Sequence, residues 1–318
     1  MVVDSAQDFD IVKVADGVYA AITKPTGLPS GNAGFVIGSE GVLVVDTTLA
    51  PVTAQELVAE IKKITLLPIK YAVNTHYHVD HSGGNQVFAA MKVPIIAQEN
   101  TRDWVPTRNK KFFPPGDGLQ KARDDAAKQL SELGAGDAQK RAQLERRLRT
   151  LDAELAIKLT APDVTYKAGS IERDLGKRRV IIATYPGHTG GDSIVYVPDA
   201  NVVFGGDLDW HKTLPNLVDA TVKDWIPTLD ALLKEHPQAA FVPGHGNVGT
   251  AAEVREFRDY LSDLREAVKK AIADGLTLDR AKAELKLAEK YKSFAIQAFV
   301  QPDIENMYNE LKGTKVYN

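Results

Sequence analysis

Three histidines and one aspartate lie within six residues, from His76 to His81. This segment, HYHVDH, follows an apolar run and precedes SGGN, a turn whose two glycines permit close backbone approach. Side chains alternate along extended backbone, so residues 76, 78 and 80 are predicted to converge on one point, with His81 reaching a second point nearby. Imidazoles and carboxylates bind several first-row metals, and this chemistry is favoured over a loop of surface histidines.

Two further histidines and another aspartate stand where apolar runs end. His188 lies in PGHTGG, His245 in PGHG and Asp207 in FGGD. Each motif is weak alone, because each is also compatible with an ordinary turn. Together with the first cluster they provide five histidines and two aspartates, enough for two metal ions with open coordination positions.

The composition limits the remaining chemistry. The 318 residues contain no cysteine, which excludes disulfides, thiolate catalysis and cysteine-held zinc. A net charge of −3 does not indicate a nucleic-acid or membrane partner. The partner that we expect is a small-molecule substrate. No apolar stretch approaches the roughly 20 residues of a membrane span, which predicts a soluble chain. It would be cytoplasmic if complete as it stands, and periplasmic or secreted if an export signal has been removed.

Strand and helix patterns alternate in a way that can position these side chains. Apolar runs predict strands at residues 11–14, 18–22, 35–37 and 42–45, a helix over 53–64 and a strand over 69–73 that leads into His76. A second set of runs predicts strands at 180–183, 193–197 and 202–204, the last ending in GGD. Two such halves suggest two sheets packed face to face with helices outside.

Charged amphipathic segments account for the rest. Residues 119–158 predict a helical hairpin inserted into the domain, with its break at Gly134-Ala135-Gly136. A solvated hairpin covering one edge of the core is the simplest interpretation; a lid or a self-contact between copies is the alternative. We therefore expect a catalytic domain over 1–250 and a C-terminal helical extension, packed on that domain, over 251–318.

The order of motifs HxHxDH, PGHT, GD and PGHG resembles the metallo-β-lactamase superfamily over roughly residues 11–250, apart from the helical insertion. The resemblance implies a four-layer αβ/βα sandwich with metals at one edge, between the sheets. It also implies which side chains bind: His76, His78 and His188 hold one metal, Asp80, His81 and His245 hold the other, and Asp207 bridges them. Two zinc ions suit this set, although iron or manganese is compatible with it.

The resemblance further implies a hydrolase in which a hydroxide shared by two metals cleaves an ester, thioester, lactone or amide bond. Asp80 is the candidate catalytic residue that orients the water and passes on its proton. Asp46, Thr75 and Thr189 are candidates to hydrogen-bond the ligand imidazoles, with a turn or capping role as the alternative for Asp46. His211 is a candidate substrate contact or a surface histidine.

Departures from family patterns narrow the range of expected substrates. The zinc β-lactamases generally have cysteine or serine where this chain has Asp207, so at most weak β-lactam hydrolysis is expected. The segment NTHYHVDHSGGN is most similar to the glyoxalase II and general hydrolase branch. Two other activities of this fold are alternatives: a mononuclear iron persulfide dioxygenase, which the complete second ligand set disfavours, and a phosphodiesterase or nuclease, which the absence of a basic surplus disfavours.

Overall fold

Two β-sheets face each other in the computed structural model of the chain, which describes residues 2–5, 7–28, 30–134 and 137–317. Within these residues the first sheet has eight strands in chain order, antiparallel as far as the fifth strand and parallel from there to the eighth. They are β1 (Val2–Ser5), β2 (Phe9–Ala15), β3 (Val18–Thr23), β4 (Ala33–Ile37), β5 (Val42–Val45), β6 (Ile69–Val73), β7 (Ile95–Gln98) and β8 (Val164–Tyr166).

The second sheet comes from the second half of the chain. Its order, among the described residues, is β14-β13-β12-β11-β10-β9, with β12 and β13 parallel and the other neighbours antiparallel. The strands are β9 (Ser170–Asp174), β10 (Arg179–Thr184), β11 (Ser193–Val197), β12 (Val202–Trp210), β13 (Ala240–His245) and β14 (Gly249–Thr250). Strand β12 is longer than predicted, so Asp207 lies within it rather than after it.

The apolar run of β5 shows why the sheets stack. All four of its side chains are buried, but Val42 and Val44 belong to the cluster on the outer face of the first sheet, whereas Leu43 and Val45 belong to the cluster between the sheets. Successive side chains of a strand point to opposite faces, so an uninterrupted apolar run needs cover on both sides.

Helices provide that cover on the two outer faces. The first half of the chain contributes α1 (Pro51–Ile64), α2 (Val79–Ser82), α3 (Asn85–Ala90) and α4 (Glu99–Trp104), and α1 packs its Leu57 and Ile61 on the first sheet. The second half contributes α7 (Val222–Glu235), α8 (Ala251–Ala273), α9 (Leu278–Glu284) and α10 (Val300–Lys312), which bury one cluster against the second sheet. The predicted four-layer sandwich is confirmed.

The inserted hairpin consists of α5 (Gly118–Glu132) and α6 (Ala138–Leu155). Of its predicted break, Ala135 and Gly136 lie outside the described residues. Helix α6 is attached to the body by an ion pair of 2.6 Å between Arg149 and the buried Asp8. Short 3-10 helices cover Arg108–Phe112, Glu289–Tyr291 and Gln297–Phe299.

The C-terminal helices share their buried cluster with strand and helix residues of the second half, such as Val203 and Trp225. The division of the chain at residue 250 stays a prediction. Across the described ranges, no helix is long and apolar enough to cross a membrane.

Candidate metal centre

The HYHVDH segment leaves the first sheet at the end of β6 and turns into the short helix α2. His76 and His78 precede the helix and converge, as alternation predicts. Asp80 does not join them, because the chain becomes helical at Val79 and directs Asp80 and His81 to a separate point. The alternation argument is therefore wrong for Asp80, and the pairing of Asp80 with His81 implied by the family resemblance agrees with the geometry.

The second sheet supplies its side chains from three separate places. His188 follows β10, Asp207 lies in β12 and His245 ends β13. Close approach requires glycine here: Gly206 has a φ of +51°, and a Cβ on Gly244 would collide with the Asp207 carboxylate.

Four side chains form what we call the first ligand group: His76, His78, His188 and Asp207, all buried. His188 Nε2 lies 3.0 Å from His78 Nδ1 and 3.2 Å from Asp207 Oδ2. His76 Nε2 lies 3.6 Å from the same Asp207 oxygen.

The second ligand group is Asp80, His81 and His245. His245 Nε2 lies 3.5 Å from Asp80 Oδ2, and His81 Nε2 lies 3.7 Å from that oxygen. Asp207 contacts this group through its other oxygen, Oδ1, at 3.1 Å from His81 and 3.4 Å from His245. Asp207 thus presents one oxygen to each group.

These side chains fit divalent metal ions. His76 Nε2, His81 Nε2 and Asp207 Oδ1 are buried with no hydrogen-bond partner, a costly state for polar atoms unless a ligand satisfies them. A tetrahedral zinc site with bonds of about 2.1 Å has ligand atoms about 3.4 Å apart. The separations given above, 3.0 to 3.7 Å, bracket that value.

Asp46 orients two of the imidazoles. Its Oδ2 lies 2.8 Å from His81 Nδ1 and accepts a hydrogen bond from the Thr75 hydroxyl, which lies 3.1 Å from His76 Nδ1. The outer nitrogens of both rings are thereby engaged, which leaves both Nε2 atoms facing inward. Asp46 has a φ of +60°, a sparsely populated conformation that often marks functional sites.

Asp219 performs the same task for His78 and is the residue that sequence reasoning missed. Its Oδ2 lies 2.9 Å from His78 Nε2 and accepts a hydrogen bond from the Tyr77 hydroxyl, while Oδ1 accepts one of 2.7 Å from Lys111. No motif surrounds Asp219, and 138 or more residues separate it from the HYHVDH segment along the chain, so no sequence spacing could reveal it.

Thr189 and His211 lie away from their predicted partners. The Thr189 backbone N–H and hydroxyl both donate to Asp192, which closes the turn after His188, and the structure shows no bond from Thr189 to an imidazole. His211 is buried, with Nε2 2.9 Å from Asp209 and Nδ1 2.8 Å from the Asn247 carbonyl. It lines a neighbouring cavity rather than the cleft above the ligands.

Burial and nearby carboxylates shift the pKa values of the imidazoles in opposite directions. Burial lowers the pKa of His188 to about 3 and that of His76 well below its usual value, so both are neutral, as metal ligands must be. Burial would also lower the pKa of His81, but Asp207, Asp80 and Asp46 raise it well above its usual value. The pKa of Asp219 is lowered: burial opposes ionisation, and the hydrogen bonds from His78, Lys111 and Tyr77 outweigh it.

A cleft of about 400 Å³ opens above both groups. Asp80 lies in its floor, where its Oδ2 accepts a hydrogen bond of 2.7 Å from the Ser30 hydroxyl. The walls are mostly apolar, and Thr150 and Glu154 of the inserted hairpin form part of them. The apolar wall residues are Leu28, Leu49, Val79, Phe112, Trp210, Ile296 and Phe299.

The chain matches one family model, described as the metallo-beta-lactamase superfamily, over residues 26–245. All the residues of the two ligand groups lie within this range. Among curated proteins, a linear primary-alkylsulfatase from a Pseudomonas strain is 27% identical over 270 residues, which are 78% of this chain and 48% of the relative. A metallo-beta-lactamase type 2 from Pseudomonas aeruginosa is 21% identical over 82% of this chain and 88% of its own.

Solved structures show the same fold. The sec-alkylsulfatase Pisa1 from Pseudomonas sp. has a TM-score of 0.68 at 18% identity, over 95% of this chain and 50% of Pisa1. A metallo-beta-lactamase from Pontibacter korlensis has a TM-score of 0.57 at 23% identity, over 80% of this chain and 99% of its own. The chain therefore spans about half the length of the alkylsulfatases that it matches.

Proposed function

Because this chain belongs to the metallo-beta-lactamase superfamily, whose members are metal-dependent hydrolases, we propose that it holds two zinc ions and hydrolyses an ester, thioester, lactone or amide bond in a substrate with an apolar arm. One observation carries the proposal. Asp207 directs one carboxylate oxygen toward each ligand group, at 3.2 Å from His188 and 3.1 Å from His81.

The first ligand group would hold one ion through His76, His78 and His188, and the second would hold the other through Asp80, His81 and His245. When bound, such a pair supplies a water of lowered pKa and polarises the substrate oxygen. Zinc suits the imidazole and carboxylate donors, which iron and manganese also accept.

The chain's own groups would orient the reactants and receive the proton. Asp80 Oδ2 is the proposed proton acceptor, held by the Ser30 hydroxyl at the floor of the cleft. Burial opposes its ionisation, but the nearby His81 and His245 lower the pKa of Asp80, so it is available as a carboxylate. Asn216 lines the cleft with its Oδ1 engaged by the Val218 N–H, which leaves its side-chain amide group to donate to a substrate oxygen.

The apolar walls would exclude water and bind a hydrocarbon arm of the substrate. No lysine or arginine is among the described residues that line the cleft. A neutral carbonyl compound therefore fits these walls better than a substrate with several negative charges, and the net charge of −3 likewise disfavours a nucleic acid.

Alkyl sulfate ester hydrolysis is the second candidate, favoured by the likeness to the linear primary-alkylsulfatase over 78% of this chain. The apolar cleft would suit an alkyl chain. The absence of a cationic side chain from the described cleft lining is the reason for ranking it second.

Metal analysis and a substrate panel test these proposals. We expect about two zinc ions per chain by mass spectrometry of the purified protein, loss of activity on chelation and recovery with Zn²⁺. Lactone, thioester, aryl ester, β-lactam and alkyl sulfate substrates should rank with the neutral esters first. Less than one metal per chain, with no recovery on adding Zn²⁺, would refute the dinuclear hydrolase, and a preference for the sulfate would reverse the order of the two candidates.

A further inference from the structure

The loop between β12 and α7 carries Asp219, and we call residues 212–221 the Asp219 loop. Asp219 is the group that engages His78 Nε2, at 2.9 Å. Asn216, in the same loop, lines the cleft. The path of this loop therefore sets the orientation of one ligand imidazole and the shape of one wall.

Two charged side chains from the C-terminal end of the chain bind the backbone of this loop and the start of α7. We call Glu310 and Lys315 the C-terminal clasp. Lys315 Nζ donates hydrogen bonds of 2.6 Å to the carbonyls of Leu217 and Ala220, which lie on either side of Asp219.

Glu310 fixes the far end of the loop. The N-cap residue of α7, Thr221, makes no side-chain capping hydrogen bond. The Glu310 carboxylate takes the place of that cap. It accepts hydrogen bonds from the backbone N–H groups of Val222 at 3.0 Å and Lys223 at 2.9 Å. The first turn of a helix has unsatisfied N–H groups, so a carboxylate from another helix both caps α7 and fixes where it begins.

The near end of the loop is also tied to the C-terminal part of the chain. Leu214 N donates to the Ala295 carbonyl at 3.0 Å, and Ala295 N donates to the Lys212 carbonyl at 2.8 Å. Ile296 and Phe299, which follow Ala295, line the cleft. The C-terminal segment thus contacts the loop at both ends and forms part of the same wall.

Charged groups in such positions are costly unless they have partners. Lys315 is half-buried, and burial lowers its pKa to about 8. Both carbonyls that it contacts are backbone groups of the loop, so the lysine satisfies them and is itself held in place.

We propose that the C-terminal clasp positions the metal centre: by holding the Asp219 loop, it keeps Asp219 in the place where it orients His78. These are positioning residues, since they act through Asp219 and contact no ligand. The inference rests on the proposed function, in that it takes His78 as a metal ligand.

The test compares Lys315→Met, which removes the donor at similar length, with Lys312→Met, an exposed lysine three residues earlier outside these contacts. Hydrogen exchange of the metal-free proteins should show faster exchange of the loop amides from residue 214 to 221 in Lys315→Met only. Zinc affinity, measured by competition with a chelator, should fall about 10-fold, the lower end of the range for changes beyond the direct ligands. The value of kcat should fall with it, while KM changes less than about twofold.

Two further variants separate positioning from general stability. Lys315→Arg retains N–H donors for the carbonyls of Leu217 and Ala220 and should keep most of the zinc affinity of the wild type. Asp219→Asn combined with Lys315→Met should cost little more than Asp219→Asn alone, because both changes act through one contact. If Lys315→Met does not fold, Glu310→Gln tests the same proposal through a different contact of the clasp.

The outcomes are distinguishable. A wild-type protein that binds no metal overturns the proposed function and this inference with it. A metal-binding wild type in which Lys315→Met and Glu310→Gln leave loop exchange and zinc affinity unchanged overturns the clasp alone. If the losses of zinc affinity add fully in the double variant, the clasp is also overturned, because Lys315 would then not act through Asp219.

Discussion

The two ligand groups differ in how the protein encloses them. The first group is buried throughout, and its His78 is engaged by Asp219, which in turn has Tyr77 and Lys111 as further partners. The second group includes Asp80, which lies in the cleft floor and is bonded to Ser30, an exposed residue. Since preorganisation comes from the partners of the ligands, we expect His78 of the first group to be held more rigidly than Asp80 of the second.

Removing the residue common to both groups should have the largest effect. Asp207→Ala deletes an oxygen from each group, and we expect a loss of about 10³-fold or more in kcat/KM, comparable to removing a main electrostatic contribution to catalysis. Metal content and turnover of the purified variant measure this, with the exposed Asp103→Ala as control. A variant that keeps two metals and normal turnover would remove the basis for treating the groups as one centre.

The partners of the two groups should act separately. Asp219→Asn is expected to weaken metal binding at the first group, and Asp46→Asn chiefly at the second, each by about 10- to 100-fold. Asparagine tolerates the φ of +60° at position 46, so the second variant introduces little backbone strain. Titration with Co²⁺, followed by its visible spectrum, reports each site. If both variants weaken the same ion, the assignment of partners to groups is wrong.

A smaller change should affect the second group alone. Ser30→Ala removes one hydrogen bond to Asp80, and the usual contribution of such a bond predicts a loss of about 2- to 10-fold in kcat/KM. The affinity for the first metal should stay unchanged, because the Ser30 hydroxyl bonds Asp80, which belongs to the second group. An equal loss of metal affinity at both groups would contradict this difference between them.

The smallest expected effect is a pH dependence of the stability that Lys315 contributes. Burial lowers the pKa of Lys315 from 10.5 to about 8, so between these values the unfolded chain holds a proton that the folded chain has lost. Stability contributed by this residue should therefore rise as the pH increases from about 8 to 10.5. Urea unfolding of the wild type and Lys315→Met across this window measures the difference. If the difference in free energy of unfolding between the wild type and Lys315→Met narrows as the pH rises, Lys315 is not buried as the structure has it.

Much of the architecture was predictable because burial leaves local patterns. The apolar run Val42–Val45 indicated a strand, and the spacing of Leu57 and Ile61 indicated a helix. The inserted hairpin followed from helical spacing in the same way. The length of β12 was not predictable, because its GGD resembles a turn locally but pairs with β13.

The candidate ligands were also visible, since five histidines in short motifs are unusual in a chain with seven. Their environment was not. Thr189 was a candidate to bond an imidazole but bonds Asp192. His211 was a candidate substrate contact or a surface histidine, but it is buried and pairs with Asp209. Isolated polar residues carry no spacing signal that identifies their partners.

The types and order of the candidate metal-binding side chains are properties of short stretches of sequence and can be read there. The same holds for the alternation of strands and helices that positions them. Tertiary structure alone decides that Asp219 lies against His78 and that Lys315 lies beside the Asp219 loop. The physical reason is that these contacts join residues distant along the chain. Their geometry depends on how whole layers pack, and no local pattern of residues records it.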